Sequence, residues 1–490
     1  MRVLLIYPEN PDTFWSFKHT VGFVSKKAAF QPLGLMTIAA MMPREWELEL
    51  VDLNVEHLRD EHIERADYVL ISGMIIHKDS VHAIVKRCRA FAKPIIAGGP
   101  LFTTGHLGFP DIDHFVLGEA EEVMPALVSD MEQGTLKPIY KASGRPEITH
   151  VPVPRWDLVD MRNYVTMSVQ FSRGCPFDCE FCDIIVMNGR VPRTKTPEQL
   201  VGELEALRSR GWKEMVFIVD DNFIGNKKRS KELLRAIIAW REKSKAQMGF
   251  FTEASVNLAD DAELIELMVR AGFKKVFLGI ETPSLASLKE CRKLQNTRHD
   301  LLDSIATLQR AGMEVMGGFI VGFDNDEEDI FHRQFEFIQR SGVVEAMVGL
   351  LTALPETRLY HRLMSEGRLE ADSTGNNTDA VMNFKPKLPR EFLQDGYREL
   401  MKRLYEPKVY YARIRTFLRH HEPSGPRLRT SLTDIKAFLR SIWALGVRHR
   451  GRRGYWRLFL GTLFRRPRQF SNAIELAIVG HHFRRVASSL

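Results

Sequence analysis

Cys175-Pro-Phe-Asp-Cys179-Glu-Phe-Cys182 places three thiols at CxxxCxxC spacing in a chain with only five cysteines. Thiolates are soft ligands that suit iron–sulfur clusters and zinc. A cubane of four irons held by three sulfurs keeps one iron free for a further ligand, which would make the site chemical and not merely structural. Closed zinc sites take four ligands. Near this loop the sequence offers no fourth: Cys88 and Cys291 are remote and His150 lies outside it. A zinc staple and unligated thiols stand as alternatives at this point. Disulfides are not expected, because cysteine is sparse and the charged N-terminus carries no secretion pattern. A reducing, cytoplasmic compartment follows.

Other chemistry-bearing residues fall where apolar, strand-like runs end. They are Asp220-Asp221-Asn222, Glu253 with Ser255, Gly279-Ile280-Glu281-Thr282, and Gly317-Gly318 with Gly322. Each has a plain structural reading beside a functional one. An Asp after a strand is often a helix N-cap, the reading for Asp221 and Asp324, and Glu281 would serve to tie strand to loop. Cys88 and Cys291 read as packing thiols.

The cysteine spacing resembles that of the radical S-adenosylmethionine (SAM) superfamily. The resemblance implies a [4Fe–4S] cluster on Cys175, Cys179 and Cys182, with SAM on the fourth iron. It places the Phe181 ring near the adenine. Asp220 or Asp221 stands where many members carry a Gly-Gly-Glu that meets the SAM ammonium. Glu253 and Ser255 stand where members contact the SAM ribose or carboxylate, and Gly279 with Glu281 matches a Gly-Ile-Glu-Ser variant. Leu354-Pro-Glu-Thr357 resembles a Pro-Gly-Thr turn.

The elements that must position these residues read as two α/β units and a helical tail. Apolar runs at 164–171, 214–220, 249–254, 275–280, 314–321 and 346–353 alternate with helical patterns at 197–208, 231–243 and 262–271. That alternation predicts a partial (β/α)6 barrel over 161–385, whose chemistry sits at the carboxyl ends of its strands. Upstream, runs at 3–7, 48–51, 68–72, 94–97 and 114–117 alternate with helical stretches such as 80–91 and 119–133. They predict a doubly wound, Rossmann-like sheet over 1–140, joined by a linker at 141–160. Its strand ends carry Ser72-Gly73, Gly98-Gly99-Pro100 and Gly118-Glu119, where a flat ligand can approach the backbone. The GxGxxG fingerprint is missing after the first strand, where Tyr7-Pro-Glu-Asn10 stands.

The order of these units resembles the cobalamin-binding subgroup of radical SAM proteins, which includes the hopanoid methylases. That resemblance implies cobalamin at Ser72, Gly73, Gly98, Gly99, Pro100, Gly118 and Glu119. The Asp-x-His-x-x-Gly motif is absent, so a base-off corrin without a histidine ligand is implied. A bare scaffold sheet is the alternative. His19, His77 and His82 are the histidines nearest such a ligand in sequence terms, or ordinary structural ones.

Apolar content of 44% and charged content of 27% suit a folded protein, and no apolar run is long enough to span a bilayer. Charge is uneven: residues 401–490 hold 20 Lys and Arg against 4 Asp and Glu, whereas the first 400 hold 49 against 58. Helical patterns at 391–405, 408–419 and 432–447 flank a loop at 423–426, and Arg clusters sit beside Trp, Phe and Leu. This mainly helical basic region, 386–490, suits an anionic membrane surface, a cap on the barrel, or, least well, nucleic acid.

Together these readings predict a cobalamin-dependent radical SAM enzyme that methylates an unactivated carbon of a small or lipid-like substrate through a 5′-deoxyadenosyl radical. A flavodoxin- or ferredoxin-like electron donor and peripheral membrane contact through the tail complete the expectation. The alternatives are a non-methylating radical SAM reaction, such as ring or carbon–carbon bond formation, and a zinc-stapled RNA- or membrane-binding protein.

Overall fold

The computed structural model describes residues 1–425 and 432–490. Six parallel strands form the first sheet: β1 Arg2–Tyr7, β2 Glu47–Asp52, β3 Tyr68–Ser72, β4 Ile95–Gly98, β5 His114–Leu117 and β6 Ile139–Lys141. Their order is β2-β1-β3-β4-β5-β6. Side chains alternate across a strand, and here both faces are buried. Val3 and Leu5 join one apolar core, and Leu4 and Ile6 join another. Sheets covered on both faces need such continuous aliphatic runs. The core holding Val3 and Leu5 runs on into the second unit, so the two units share one interior.

The second unit begins with β7 Met167–Val169 and the short β8 Ser172–Arg173, paired antiparallel with β9 Arg193–Thr194. It continues with β10 Val216–Ile218, β11 Phe250–Ala254, β12 Phe273–Glu281, β13 Glu314–Val321 and β14 Ala346–Leu350. β7 and β10–β14 form an all-parallel six-stranded sheet in chain order, the expected partial barrel. The sequence pattern predicts one strand over 164–171, of which the structure keeps Met167–Val169 as β7. It ends early because Asp220 accepts from the Phe171 backbone N–H at 2.8 Å and from Ser172 Oγ at 2.6 Å. The chain then turns off into β8. β6 has no counterpart among the expected strands; it is three residues long with both ends exposed.

A partial barrel leaves β7 an open edge, and exposed edges recruit partners. The first unit fills it. Gln31 Nε2 donates to the Ser168 carbonyl and its Oε1 accepts from the Ser168 N–H, both at 2.9 Å. Trp15 lies parallel to Phe217 at 6.2 Å, and Phe217 stacks on Phe251 at 4.4 Å.

The tail folds as helices Arg390–Leu404, Pro407–His420, Leu432–Ser441, Arg452–Arg465 and Phe470–Ser489, with a wider helical turn at Ile442–Arg448. The loop expected at 423–426 runs into residue 426, outside the described residues. The last helix caps both units. Glu475 meets Lys275 at 2.8 Å, His482 Nε2 reaches the Thr13 and Phe14 carbonyls at 2.9 and 3.0 Å, and Phe483 stacks on Phe14 and Tyr405. Among the described residues no helix is long and apolar enough to cross a membrane.

Candidate active site at the facing strand ends

The three cysteines lie in the loop that leaves β8, at the carboxyl end of the barrel sheet. Cys179 is buried; Cys175 and Cys182 are half-buried. Asn222 Nδ2 sits 3.6 Å from Cys175 Sγ, and Gln295 Nε2 sits 3.8 Å from Cys179 Sγ. Amide donors aimed at sulfur suit thiolates that carry metal charge. Burial pushes the Cys179 and Cys182 thiols up, while the Lys293 ammonium pulls both back.

Asp220 and Asp221 brace this loop. Asp220 is fully enclosed by its bonds to Phe171 and Ser172, and burial pushes it up to about 7 against those hydrogen bonds. Asp221 Oδ2 accepts from the Gly174 N–H at 2.9 Å and from Asn188 Nδ2 at 2.8 Å. The resemblance sets one or the other against the SAM ammonium; the structure directs these carboxylate oxygens to the loop backbone and its neighbours. Asp221 is not a helix N-cap either. Asp324 pairs with Arg362 and Arg368, at 2.9 and 2.6 Å, and starts no helix.

Glu253, at the end of β11, is different. Among the described residues its carboxyl has no hydrogen-bond partner. Burial first, then the charges of Asp221 and Asp220, raise it to about 8. Ser255 donates to Asn257 Oδ1 at 2.6 Å and accepts from Asn222 at 3.2 Å, so Asn222 links Ser255 to Cys175.

Glu281 ends β12 at φ +67°, a left-handed conformation that costs a non-glycine residue about 1–3 kcal/mol and clusters at functional sites. Three side chains hold it. Lys293 Nζ meets its Oε1 at 2.6 Å, Gln334 Nε2 donates to its carbonyl at 3.3 Å, and Asn296 Nδ2 donates to the Gly279 and Ile280 carbonyls. Glu281 therefore ties strand to loop. A Cβ at Gly279 would lie 2.5 Å from Glu281 Oε1 and 2.7 Å from Lys293 Nζ, so glycine is what lets that pair lie flat on β12. Lys293 also stands 5.9 Å from the Phe181 ring centroid. Gln295 Oε1, Asn296 Oδ1 and Gln334 Oε1 are buried without partners among the described residues. Unpaired buried acceptors are costly and rare. With the Glu253 carboxyl they fit a ligand rich in N–H and O–H donors, as SAM is.

On the first sheet the ends of β3 and β4 form a shelf. Gly99 has φ +96°, and a Cβ there would lie 2.8 Å from Ser72 Oγ and 3.2 Å from the Gly73 carbonyl. Gly98 is half-exposed and Pro100 starts the helix Pro100–Gly105. At Gly118, φ +82°, a side chain would meet nothing within 4 Å. Flat open backbone of this kind fits a corrin face. Glu119, expected to face that ligand, instead crosses to the cluster hairpin. Its carboxylate meets Arg173 at 2.7 Å and Arg193 at 2.6 and 2.9 Å. Arg173 also binds Glu121 at 2.6 Å. At the opposite flank, Gly375, in the loop after the helix Arg358–Ser365 that follows β14, lies against Ile75 and Ile76 beyond β3. The carboxyl ends of the two parallel sheets therefore face each other.

His77 is structural: its Nε2 meets Asn10 Oδ1 at 2.7 Å, its Nδ1 accepts from the Met74 N–H at 3.2 Å, and burial lowers it to about 4. His82 stacks on Phe109 at 4.6 Å and His19 pairs with Asp12 at 2.6 Å. Cys88 and Cys291 are buried packing thiols. Sequence reasoning missed Lys293, Gln295, Asn296, Arg173 and Arg193. The one available signal was position: Arg173 directly precedes the Gly174-Cys175 turn, and a polar run follows Cys291.

Three family models match the chain: a B12 binding domain over residues 20–128, the radical SAM superfamily over 169–338, and a domain of unknown function, DUF4070, over 357–490. The chain is 42% identical to an uncharacterized methyltransferase of Synechocystis, over 99% of this chain and 91% of that one. It is 33% identical to the hopanoid C-2 methylase of Rhodopseudomonas palustris, over 98% and 92%. Among solved structures, the cobalamin-dependent SAM radical enzyme OxsB with aqua-cobalamin and SAM bound matches with TM-score 0.62 at 14% identity, over 100% of this chain and 80% of that one. The radical SAM methyltransferase TsrM of Kitasatospora setae matches with TM-score 0.61 at 13% identity, over 98% and 99%. These findings set aside the zinc-stapled binding protein.

Proposed function

The chain belongs to the radical SAM family that carries a B12-binding domain ahead of the radical core, and on that premise we propose that it methylates an unactivated carbon of a small or lipid-like substrate. The supporting observation is the facing of the two strand-end sites, locked by Glu119 between Arg173 and Arg193. When bound, the [4Fe–4S] cluster supplies the electron that splits SAM into methionine and a 5′-deoxyadenosyl radical, and cobalamin carries the methyl group.

The chain's residues do the rest. Cys175, Cys179 and Cys182 anchor the cluster, and Asn222 and Gln295 orient donors toward two of its sulfurs. Glu253, with its high affinity for a positive partner or proton, receives the SAM ammonium, and Ser255 lies beside it. The orphaned oxygens of Gln295 and Asn296 accept from the nucleoside, and Phe181 offers an aromatic face. Ser72, Gly73, Gly98, Gly99, Pro100 and Gly118 seat the corrin opposite. Phe217, Phe251, Phe277 and Trp15 keep the barrel interior apolar below the site, which excludes water from a reactive radical. A small flavodoxin- or ferredoxin-like protein is the reductant this reading calls for.

The test is anaerobic purification with cobalamin supplied, cluster reconstitution, and turnover with SAM, reductant and a panel of polycyclic lipids that includes hopanoids. Mass spectrometry is expected to find 5′-deoxyadenosine and S-adenosylhomocysteine together with a product heavier by one methylene unit. Deoxyadenosine without S-adenosylhomocysteine would favour a non-methylating radical reaction. S-adenosylhomocysteine without deoxyadenosine would remove the radical step.

A further inference from the structure

The tail does more than cap. On the helix Leu432–Ser441, Ala437 and Ser441 are buried against the body, and Arg440 Nη1 fixes the helix to the Gly22 and Phe23 carbonyls at 2.7 and 3.0 Å. Leu432, Ile435 and Leu439, three and four residues apart, form one stripe on the opposite side, and Trp443 continues it. These four are 78, 47, 59 and 60% exposed. The helix Arg452–Arg465 packs beside it through Phe438 on Phe459 and Ser441 on Tyr455. It buries Tyr455, Leu458 and Thr462. Its outward half carries Arg452, Arg453 and Arg457 near one end and Leu460, Leu463 and Phe464 near the other, with Phe464 77% exposed. Apolar stripes exposed on two helices packed together mark an interaction site.

The charge around the stripes identifies the partner. Arg448, Arg450, Arg465, Arg466 and Arg468 are also exposed, and among the described residues no ion pair joins any arginine from 448 to 468 to a carboxylate. A second copy of this chain would bring the same cations face to face, and nucleic acid bound through its phosphates would leave the aliphatic stripe Leu432, Ile435 and Leu439 in water. Trp and Leu on one face with arginines beside them match the boundary of a bilayer bearing anionic headgroups. No described helix can span that bilayer, so attachment is at its surface.

We propose that helices Leu432–Ser441 and Arg452–Arg465 dock the protein on an anionic lipid surface, with the apolar stripes in the interface and the arginines on headgroup phosphates. The docking is independent of the reaction assigned above.

Flotation of the full-length holoenzyme with phosphatidylglycerol-containing vesicles tests it, against pure phosphatidylcholine vesicles. Binding to the anionic vesicles is expected, weakened by salt. Leu439→Glu with Trp443→Glu should reduce it by about tenfold or more, and Arg452→Glu with Arg453→Glu should remove the preference for anionic lipid. All four residues are exposed, and deoxyadenosine formation from SAM should stay at the parent level, which separates loss of docking from loss of the radical site. Absence of flotation, equal binding to both vesicles, or unchanged binding by the variants would overturn the proposal. So would light scattering that shows a dimer broken by Trp443→Glu, which would assign the stripe to a second copy.

Discussion

Glu119 decides between two accounts of the interface. Its sequence position places it on the corrin; its structure places it between two arginines of the cluster hairpin. The side chains of Glu119, Arg173 and Arg193 are 9, 14 and 10% exposed. Glu119→Gln keeps the shape and removes the charge. Arg193 would then keep the Pro146 and Asn188 carbonyls, at 2.5 and 3.2 Å, and a neutral amide oxygen but no anion, whereas Arg173 would keep Glu121. Stripping one partner from a buried pair costs about 3–5 kcal/mol. The remaining acceptors put this case at the low end, about 3 kcal/mol. Adding Arg193→Met removes the stranded cation, so a double-mutant cycle should return a coupling of about 2 kcal/mol. Anaerobic urea unfolding supplies the stabilities, and cobalamin titration by absorbance supplies the affinity. Destabilisation with cobalamin affinity within about twofold of the parent is the expected result. A variant as stable as the parent that loses cobalamin would refute this reasoning and return Glu119 to the corrin.

Other variants probe the remaining parts. Asp220 sits at about 7 when folded and near 3.8 when free, so the folded chain holds a proton that the unfolded chain releases, and stability falls as pH rises through that interval. Asp220→Asn should lie closest to the parent near pH 4, gain on it as pH rises to about 7, by up to about 4 kcal/mol, and hold that gain above; parallel stability–pH curves would contradict it. Gly99→Ala should cost about 1–3 kcal/mol and weaken cobalamin uptake, because its Cβ meets Ser72 as well as an unfavourable φ. Gly118→Ala has open space and bears only the dihedral penalty, so equal effects from the two would argue against a crowded shelf. Cys179→Ala should abolish deoxyadenosine formation and lower bound iron while leaving cobalamin binding intact, as read by iron analysis and mass spectrometry.

The features visible in the sequence were the local ones. The cysteine triple, the strand ends and the helix at 262–271 depend on near neighbours and periodicity. The helix Phe470–Ser489 has no single stripe to detect: Ile474, Ala477, Val479, Phe483 and Val486 face several partners at once, and all are buried. Asp220 and Asp221 stood at the right strand end, but their partners lie 33 to 49 residues away, beyond any periodic pattern. Gln295 and Asn296 read as an ordinary polar turn until Cys179 and Gly279 folded against them. Glu119 looked like a ligand residue because its turn did; nothing local announces Arg173 and Arg193 as its partners.

The geometry that matters most for the proposed chemistry is the separation between two sites on different sheets, and the chain fixes it from four directions. Gln31 closes the β7 edge with a pair of hydrogen bonds, so the first unit cannot slide along the barrel without breaking both. Trp15 fills the barrel interior against Phe217 and Phe277, which opposes any tilt away from it. The last helix holds the Thr13–Phe14 backbone through His482 and Phe14 through Phe483, so the tail pins the segment that carries Trp15. Glu119 and Gly375 then set the two flanks of the gap, one by charge and one by close contact. A methyl donor and a radical source must meet one substrate carbon within about 3–4 Å of each reacting atom, and misplacement by about 1 Å costs orders of magnitude in rate. A rigid interface built from buried, mutually dependent contacts meets that requirement where a flexible linker would not. The packed segment at 141–160, with Trp156 buried and Arg155 bonded to the Met36 carbonyl at 3.1 Å, is part of that interface and not a tether.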